Sequence, residues 1–267
     1  MTIAIGLKHS EGILLCADTL VAIPGYYKEG RSKLRTLVTK SCRLYLAIAG
    51  DVEFTNRALE VIRHNLDLAA PDPLHIKNAL DLACFEIHDK WHDRVIHPLQ
   101  MIGVIAVRGF PPELIKIDDT IVSPIANVAC IGTGESLAKF LLKTIHTPTL
   151  SKQAAVRYAA YVLFNVKGHA EGCGGVSEFL DVNESGGWHF PLQDRWVFEI
   201  LPEMETTFAD LDRQVRSIVG DFVSEVSGFD AKVHDVAEHI AKTHKAYHDK
   251  VGAREIAYLE QKDGNHA

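Results

Sequence analysis

The sequence predicts an α+β protein in which two antiparallel sheets lie between two pairs of helices, giving four layers. Strand-like segments occur at the start, in the middle and again near residue 200, and two helix-like segments separate each group from the next. Blocks of strands and helices in this order favour two packed sheets over an alternating parallel sheet. The composition, 47% hydrophobic and 24% charged among 267 residues, is typical of a globular chain and excludes disordered and collagen-like classes.

The individual elements follow from hydrophobic patterns and turn residues. Residues 13–17 are apolar without alternation, which is typical of a strand buried on both faces. Residues 20–32 contain proline and glycine and are predicted to form a loop. Ser151 is the expected N-cap of a helix. In chain order we predict strands over residues 2–8, 13–19, 33–38 and 43–49, helices over 53–70 and 74–95, strands over 101–107, 113–117 and 126–131, helices over 135–145 and 152–167, and strands over 176–182 and 195–201.

One large domain followed by an appendage is predicted. Residues 2–203 contain all of the predicted strands and form the main domain. From residue 204 the pattern is helical nearly to the end, so residues 204–267 are predicted to form a C-terminal helical extension. Three roles are open for the extension: covering the outer surface, lengthening a contact between subunits, or binding a partner.

The charge balance and the cysteines exclude several function classes. With 28 Lys and Arg against 35 Asp and Glu, the net charge of −7 argues against nucleic acid as a partner. The five cysteines are widely spaced and never form C-x-x-C, so neither a disulfide framework nor a zinc site is indicated, and a cytoplasmic location is expected. No apolar segment reaches the roughly 18 residues that a membrane span needs. We expect no cofactor and no membrane partner.

Two pairs of histidines have the spacing of a helical metal site. His88 and His92 are four residues apart, as are His244 and His248, so each pair lies on one helix face. Neither pair has a visible third ligand, and the motif H-E-x-x-H is broken by Asp89. The sequence therefore favours solvated helix faces over a metal site.

The start of the chain predicts a specific nucleophile. Methionine before a small residue is normally removed, and removal of Met1 would give Thr2 a free α-amino group. A threonine hydroxyl is a weak nucleophile that needs an adjacent base, and an α-amine with a pKa of about 7.7–8.0 can serve as that base. The charge of a nearby lysine would lower the pKa values of the amine and the hydroxyl.

Several short motifs occur in the order of a known family. They are T-I-A-I-G at 2–6, G-I-L-L-C-A-D-T at 12–19, S-K-L at 32–34, A-I-A-G at 47–50, I-G-T-G at 131–134 and G-C-G-G at 172–175. Together they resemble the proteasome β-subunit family, including the bacterial HslV-type peptidases, over roughly residues 2–200. This resemblance implies the αββα sandwich of the N-terminal nucleophile (Ntn) hydrolases.

The resemblance also implies roles for individual residues. Thr2 would be the nucleophile, Asp18 the carboxylate that holds a lysine, and Lys33 that lysine. The backbone N–H of Gly50 would face the developing oxyanion. Thr133 would supply a hydroxyl close to the amine of Thr2. Ile48 would line the primary specificity pocket and favour apolar side chains.

One motif departs from the family pattern. Where the family has Asp-x-x-Ser-Gly-Gly, this chain has Ala170 and Cys173 in place of the aspartate and the serine. A thiol is a weaker hydrogen-bonding group than a hydroxyl, so the proton network around Thr2 is expected to be altered. His169 or Glu171 could replace the missing carboxylate, although a shift of one residue turns a side chain towards a different face. Reduced or redirected activity is therefore expected.

The leading hypothesis is a threonine-type peptidase that cleaves peptides or unfolded proteins inside a homo-oligomeric ring. The resemblance also implies an ATP-dependent unfoldase as a possible partner. Two alternatives stay open. One is a catalytically silent structural subunit, which Ala170 and Cys173 favour, and the other is an amidase or acyl transferase that acts on small amides.

Overall fold

A computed structural model of the chain describes residues 2–22, 28–91, 99–145 and 149–183, together with isolated positions from 210 to 245. These residues form an α+β fold with eleven strands and four continuous helices. In chain order the elements are β1 (Ala4–His9), β2 (Gly12–Asp18), β3 (Leu20–Ala22), β4 (Lys28–Gly30), β5 (Leu34–Val38), β6 (Arg43–Ala49), α1 (Val52–Leu68), α2 (Pro73–Trp91), β7 (Gln100–Ala106), β8 (Glu113–Asp118), β9 (Ile121–Pro124), β10 (Val128–Ile131), α3 (Glu135–Ile145), α4 (Lys152–His169) and β11 (Ser177–Asn183).

The strands form three antiparallel sheets. The first has four strands in the order β10-β1-β2-β11, with Ala4 opposite both Ile131 and Ala17. The second has five strands in the chain order β5-β6-β7-β8-β9. Strands β3 and β4 pair with each other as a small third sheet. The expected antiparallel sheets are confirmed.

Several element boundaries differ from the prediction. The first hairpin turn contains only residues 10 and 11, because His9 and Gly12 pair with each other at the ends of β1 and β2. The predicted loop over residues 20–32 was wrong in part, since it contains β3 and β4. Strand β9 was not predicted. The predicted strand over residues 195–201 lies outside the described residues, as do most of the predicted C-terminal helices.

The two large sheets share an apolar core in which alanines lie among larger aliphatic residues. The alanines of this core, from both sheets, are Ala4, Ala17, Ala47, Ala49, Ala106 and Ala129. A Cβ atom on Gly6 of β1 would lie 2.6 Å from Ile102 Cγ2 and 2.8 Å from Leu114 Cδ1, both in the facing sheet. Small side chains therefore allow the two sheets to approach closely.

Helices α1 and α2 cover the other face of the five-stranded sheet. Alternate residues of β6, Leu44 and Leu46, form one buried cluster with Ile62 of α1 and Leu80 of α2. Asp51 begins α1 as its N-cap and accepts a hydrogen bond from the N–H of Phe54 at 2.7 Å. The predicted cap of α4 is confirmed in the same way by Ser151, which accepts from the N–H of Ala154 at 3.3 Å.

Helix α4 contacts β1, β2 and β11 of the four-stranded sheet, and α3 contacts β10. An α+β fold with antiparallel sheets and helices is thus confirmed, while the complete four-layer sandwich stays a prediction. The chain divides into two compact units, Met1–Gln193 and Asp194–Ala267. The predicted boundary between residues 203 and 204 stays a prediction. In the second unit the described positions are helical.

None of the helices in the described part of the chain is long and apolar enough to cross a membrane.

Gly12 provides a test of the strand packing. A Cβ atom at this position would lie 2.2 Å from the backbone oxygen of Val182 in β11, and no side-chain rotation relieves such a contact. We expect Gly12→Ala to lower the free energy of unfolding by about 2 kcal/mol, measured by urea denaturation. Gly168→Ala in α4 is the control: nothing lies within 4 Å of the new Cβ, so stability should rise by about 0.5–1 kcal/mol. Equal stability of Gly12→Ala and the parent protein would contradict the close packing.

Candidate active site

Asp18, the last residue of β2, forms the centre of a buried polar cluster. Its side chain is fully buried, and Oδ1 accepts hydrogen bonds from Lys33 Nζ at 2.7 Å and from the N–H of Ile3 at 3.0 Å. Oδ2 accepts from the N–H of Gly174 at 2.9 Å. One carboxylate therefore joins the segment before β1, the segment before β5 and the segment before β11.

Lys33 is the cation of this cluster. It lies directly before β5 and is 5% exposed, and its backbone oxygen accepts the N–H of Ile48 at 3.0 Å. Burial lowers the pKa of the Lys33 ammonium, because charge is disfavoured away from water, while the charge and hydrogen bond of Asp18 oppose this effect. The structure thus brings together the predicted carboxylate and lysine as a buried ion pair.

Thr2 directly precedes Ile3, whose N–H donates to Asp18, and it is 3% exposed. Its carbonyl oxygen accepts the N–H of Gly134 at 3.2 Å. Gly132 has a φ of 92°, and a Cβ atom there would lie 2.3 Å from the carbonyl oxygen of Thr2. A glycine is therefore required at residue 132 both by the backbone conformation and by the close approach to Thr2.

Cys173 is buried between this turn and the ion pair. A Cβ atom on Gly134 would lie 3.3 Å from Cys173 Sγ. Burial and the negative charge of Asp18 raise the pKa of the Cys173 thiol to about 11, although the charge of Lys33 opposes them. Cys173 is therefore a neutral thiol at neutral pH.

The G-C-G-G segment is fixed to the end of β2 by main-chain contacts. The N–H of Leu20 donates to the oxygen of Gly174 at 3.0 Å, and the N–H of Thr19 donates to the oxygen of Val176 at 3.0 Å. The hydroxyl of Thr19 also accepts the N–H of Val176 at 2.9 Å. These bonds hold the N–H of Gly174 in position for Asp18.

Ala170 brings no carboxylate to the site. It is the C-cap of α4 and donates its N–H to the oxygen of Val166 at 2.8 Å. The two residues that could have replaced the carboxylate, His169 and Glu171, are both exposed.

The roles predicted for Gly50, Thr133 and Ile48 stay predictions. Gly50 is exposed, with a φ of 121°, and precedes the N-cap of α1. The side chain of Thr133 is exposed, so the glycines on either side of it make the close contacts with Thr2. Ile48 is 6% exposed and belongs to the core beneath α1 and α2.

Glu178 was missed by the sequence analysis. It lies in β11 opposite Ala17, its Oε2 atom is buried, and its negative charge raises the pKa of Lys33. The only sequence signal is a charged residue between Ser177 and Phe179 in a predicted strand, and both of these neighbours are buried in the structure. That signal does not reveal Lys33 as the neighbour, because their proximity depends on how distant strands pair.

Of the two histidine pairs with metal-site spacing, only His88 lies among the described residues. His88 Nδ1 lies 3.2 Å from Asp119 Oδ2, whereas His92, His244 and His248 lie outside the described residues. Among the residues that the structure describes, no group of three or more potential ligands could hold a metal ion.

Comparison with known proteins gives matches in structure but not in sequence. No protein-family model and no curated protein matches the chain. An Anbu (Gly-1) mutant from Hyphomicrobium sp. strain MC1 has a TM-score of 0.68 at 15% identity, over 82% of this chain and 100% of that one. The helical assembly of the Anbu complex from Pseudomonas aeruginosa gives 0.62 at 13%, over 79% and 95%. Anbu (ancestral beta-subunit) from Yersinia bercovieri gives 0.61 at 11%, over 79% and 97%.

These similarities show the fold, which is consistent with an Ntn-like arrangement. The assignment to the proteasome β-subunit family with its HslV-type peptidases is wrong, because the similar structures are Anbu proteins. The motifs behind that assignment are strand ends and glycine turns around a buried carboxylate. Such features belong to the fold and do not distinguish one family that uses it from another.

Removal of the Asp18 charge tests the buried cluster. Asp18→Asn leaves the Lys33 ammonium buried without its counter-charge, so we expect a loss of about 3–5 kcal/mol in the free energy of unfolding. Adding Lys33→Met should recover part of that loss. Glu53→Gln is the matched control, because it breaks an exposed ion pair with Arg57 and should change stability by no more than about 0.5 kcal/mol. A loss for Asp18→Asn as small as that of the control would contradict the cluster.

Proposed function

We propose that this chain is a threonine-type hydrolase that cleaves peptide bonds with Thr2 as its N-terminal nucleophile. The observation that carries the proposal is the buried ion pair between Asp18 and Lys33, 2.7 Å apart and hydrogen-bonded to the peptide N–H that follows Thr2. Burying two charges is unfavourable unless they are paired and hydrogen-bonded. A buried lysine beside a nucleophile serves catalysis by lowering the pKa of the attacking group.

The proposed reaction begins with removal of Met1. The hydroxyl oxygen of Thr2 attacks the carbonyl carbon, and its proton passes to the α-amine. The C–N bond then breaks, the amine returns the proton to the leaving nitrogen, and an ester remains on Thr2. Water hydrolyses the ester by the same route in reverse. Lys33 stabilises the negative charge that develops, and the N–H of Gly50 donates to the oxyanion.

The proposal includes the αββα sandwich and a homo-oligomeric assembly. Packing of α1 and α2 on one sheet, and of α4 on the other, supports the layer order. A helical assembly has been solved for the Anbu complex of Pseudomonas aeruginosa, which supports self-association of this fold. Whether this chain assembles as a closed ring or as an open helix is a question for electron microscopy of the purified protein.

A second candidate is a catalytically silent subunit with the same fold. Two observations favour it: no carboxylate occurs at Ala170, and the buried thiol of Cys173 stays neutral. The buried ion pair argues against it, because burial of two charges is unfavourable and apolar residues of similar volume could hold the same segments together without that cost.

Intact mass after incubation with a peptide epoxyketone tests the proposal, because this reagent forms a ring with both the hydroxyl and the amine of an N-terminal threonine. We expect loss of Met1 and addition of one reagent molecule. Thr2→Ala should abolish the addition, whereas Thr36→Ala, at an exposed threonine in β5, should leave it unchanged. Retained Met1 would exclude the α-amine as the base. A trimmed but unreactive protein would favour the silent subunit.

The thiol of Cys173 gives a further prediction. A serine hydroxyl donates and accepts hydrogen bonds more strongly than a neutral thiol. We therefore expect Cys173→Ser to increase the rate of epoxyketone addition by roughly tenfold, measured by mass against time. Cys42→Ser, at another buried cysteine, is the control and should leave the rate unchanged. A slower rate in Cys173→Ser would show that the site is adapted to the thiol.

A further inference from the structure

A second carboxylate lies close to Lys33. Glu178 of β11 pairs with Ala17 of β2, one residue before Asp18. Side chains alternate between the two faces of a strand, so Glu178 shares a face with Ala17 and Leu180. Those two residues belong to the core between the large sheets, and therefore Glu178 points into the space between the sheets at its edge.

One oxygen of the Glu178 carboxylate is shielded from water there, although the residue as a whole is half-buried. Its Oε2 atom is buried and has no hydrogen-bond partner among the described residues. A buried polar atom without a partner is unfavourable, and more so when it carries charge. A nearby positive charge compensates for this. Lys33 is such a candidate, because it is hydrogen-bonded to Asp18, the residue after Ala17, and directly precedes β5, which contacts β11.

Three acidic groups act on Lys33 from the elements packed around it. Asp18 acts from β2, Cys173 from the turn before β11 and Glu178 from β11 itself, and each raises the pKa of the ammonium. The thiol of Cys173 is neutral, so it contributes no full charge at neutral pH. The Asp18 carboxylate also accepts hydrogen bonds from two backbone N–H groups, so its negative charge is shared between these donors and Lys33. Glu178 is thus a second carboxylate that acts on Lys33.

We propose that Glu178 is a positioning residue that keeps Lys33 charged in a site with no carboxylate at residue 170. A charged Lys33 is what the Thr2 reaction requires, so the catalytic consequence of this inference rests on the proposed function. The charge state of Lys33 does not rest on the proposed function. It can be measured whether or not Thr2 reacts.

Titration of Lys33 tests the inference directly. The full-length protein carrying ¹³Cε-lysine is titrated by NMR, and the signal of Lys33 is identified by its loss in Lys33→Arg. Glu178→Gln removes the charge and keeps the shape, so the Lys33 midpoint should fall by roughly one pH unit. Glu178→Asp keeps the charge but moves it by one methylene, so its midpoint should lie between those of the parent protein and Glu178→Gln.

Glu171→Gln is the matched control, because Glu171 is an exposed glutamate in the same turn region and its loss should leave the midpoint unchanged. The rate of epoxyketone addition, measured over the same pH range, should show the same shift as Lys33. An unchanged Lys33 midpoint in both Glu178 variants would overturn the inference, as would an equal shift in Glu171→Gln. A shifted midpoint in a protein that does not react with epoxyketone would support the inference and count against the hydrolase.

Discussion

The carboxylate of Asp18 is the group on which this end of the molecule depends. It is fully buried and binds an ammonium and two backbone N–H groups, which come from three separate segments of the chain. Without these partners the burial of a carboxylate would be strongly unfavourable. The same bonds set the start of β1, the approach to β5 and the approach to β11. Folding and the chemistry of the site therefore share one set of contacts.

Two glycine-containing turns also hold Thr2 and Asp18 in position. Gly132 allows the turn after β10 to approach the carbonyl oxygen of Thr2, and Gly134 donates its N–H to that oxygen. Gly174 donates to Asp18 from the other side. Backbone groups thus position Thr2 and Asp18, which explains why the side chain of Thr133 can be exposed without loosening the turn.

Much of this architecture could be predicted from the sequence because it depends on local signals. A stripe of apolar residues indicated α1, the Ser151 cap indicated the start of α4, and apolar runs indicated β2 and β6. Strands β3, β4 and β9 were missed because each has only three or four residues, too few for a period to appear. Their pairing depends on tertiary contacts.

The site was predictable to a similar degree, and for a similar reason. Asp18 and Lys33 could be named because each belongs to a short motif, and the structure brings them together. Glu178 could not be found this way, because its position near Lys33 depends on the pairing of β11 with β2, whose sequences are more than a hundred residues apart. Family membership was misjudged because the motifs report the fold and not the lineage.

Gly6 restricts how β1 can pair with its neighbours, and it therefore affects where Thr2 lies. A slip of β1 by two residues would keep every side chain on its own face of the sheet, and would normally be the easiest error in pairing. Here it would bring Ala4 or Lys8 to a point where even a Cβ atom would lie 2.6 Å from Ile102 Cγ2. The facing sheet therefore rejects the slipped pairing. The position of Thr2 relative to Asp18 along the strands is therefore fixed by steric exclusion at residue 6, four residues away from Thr2.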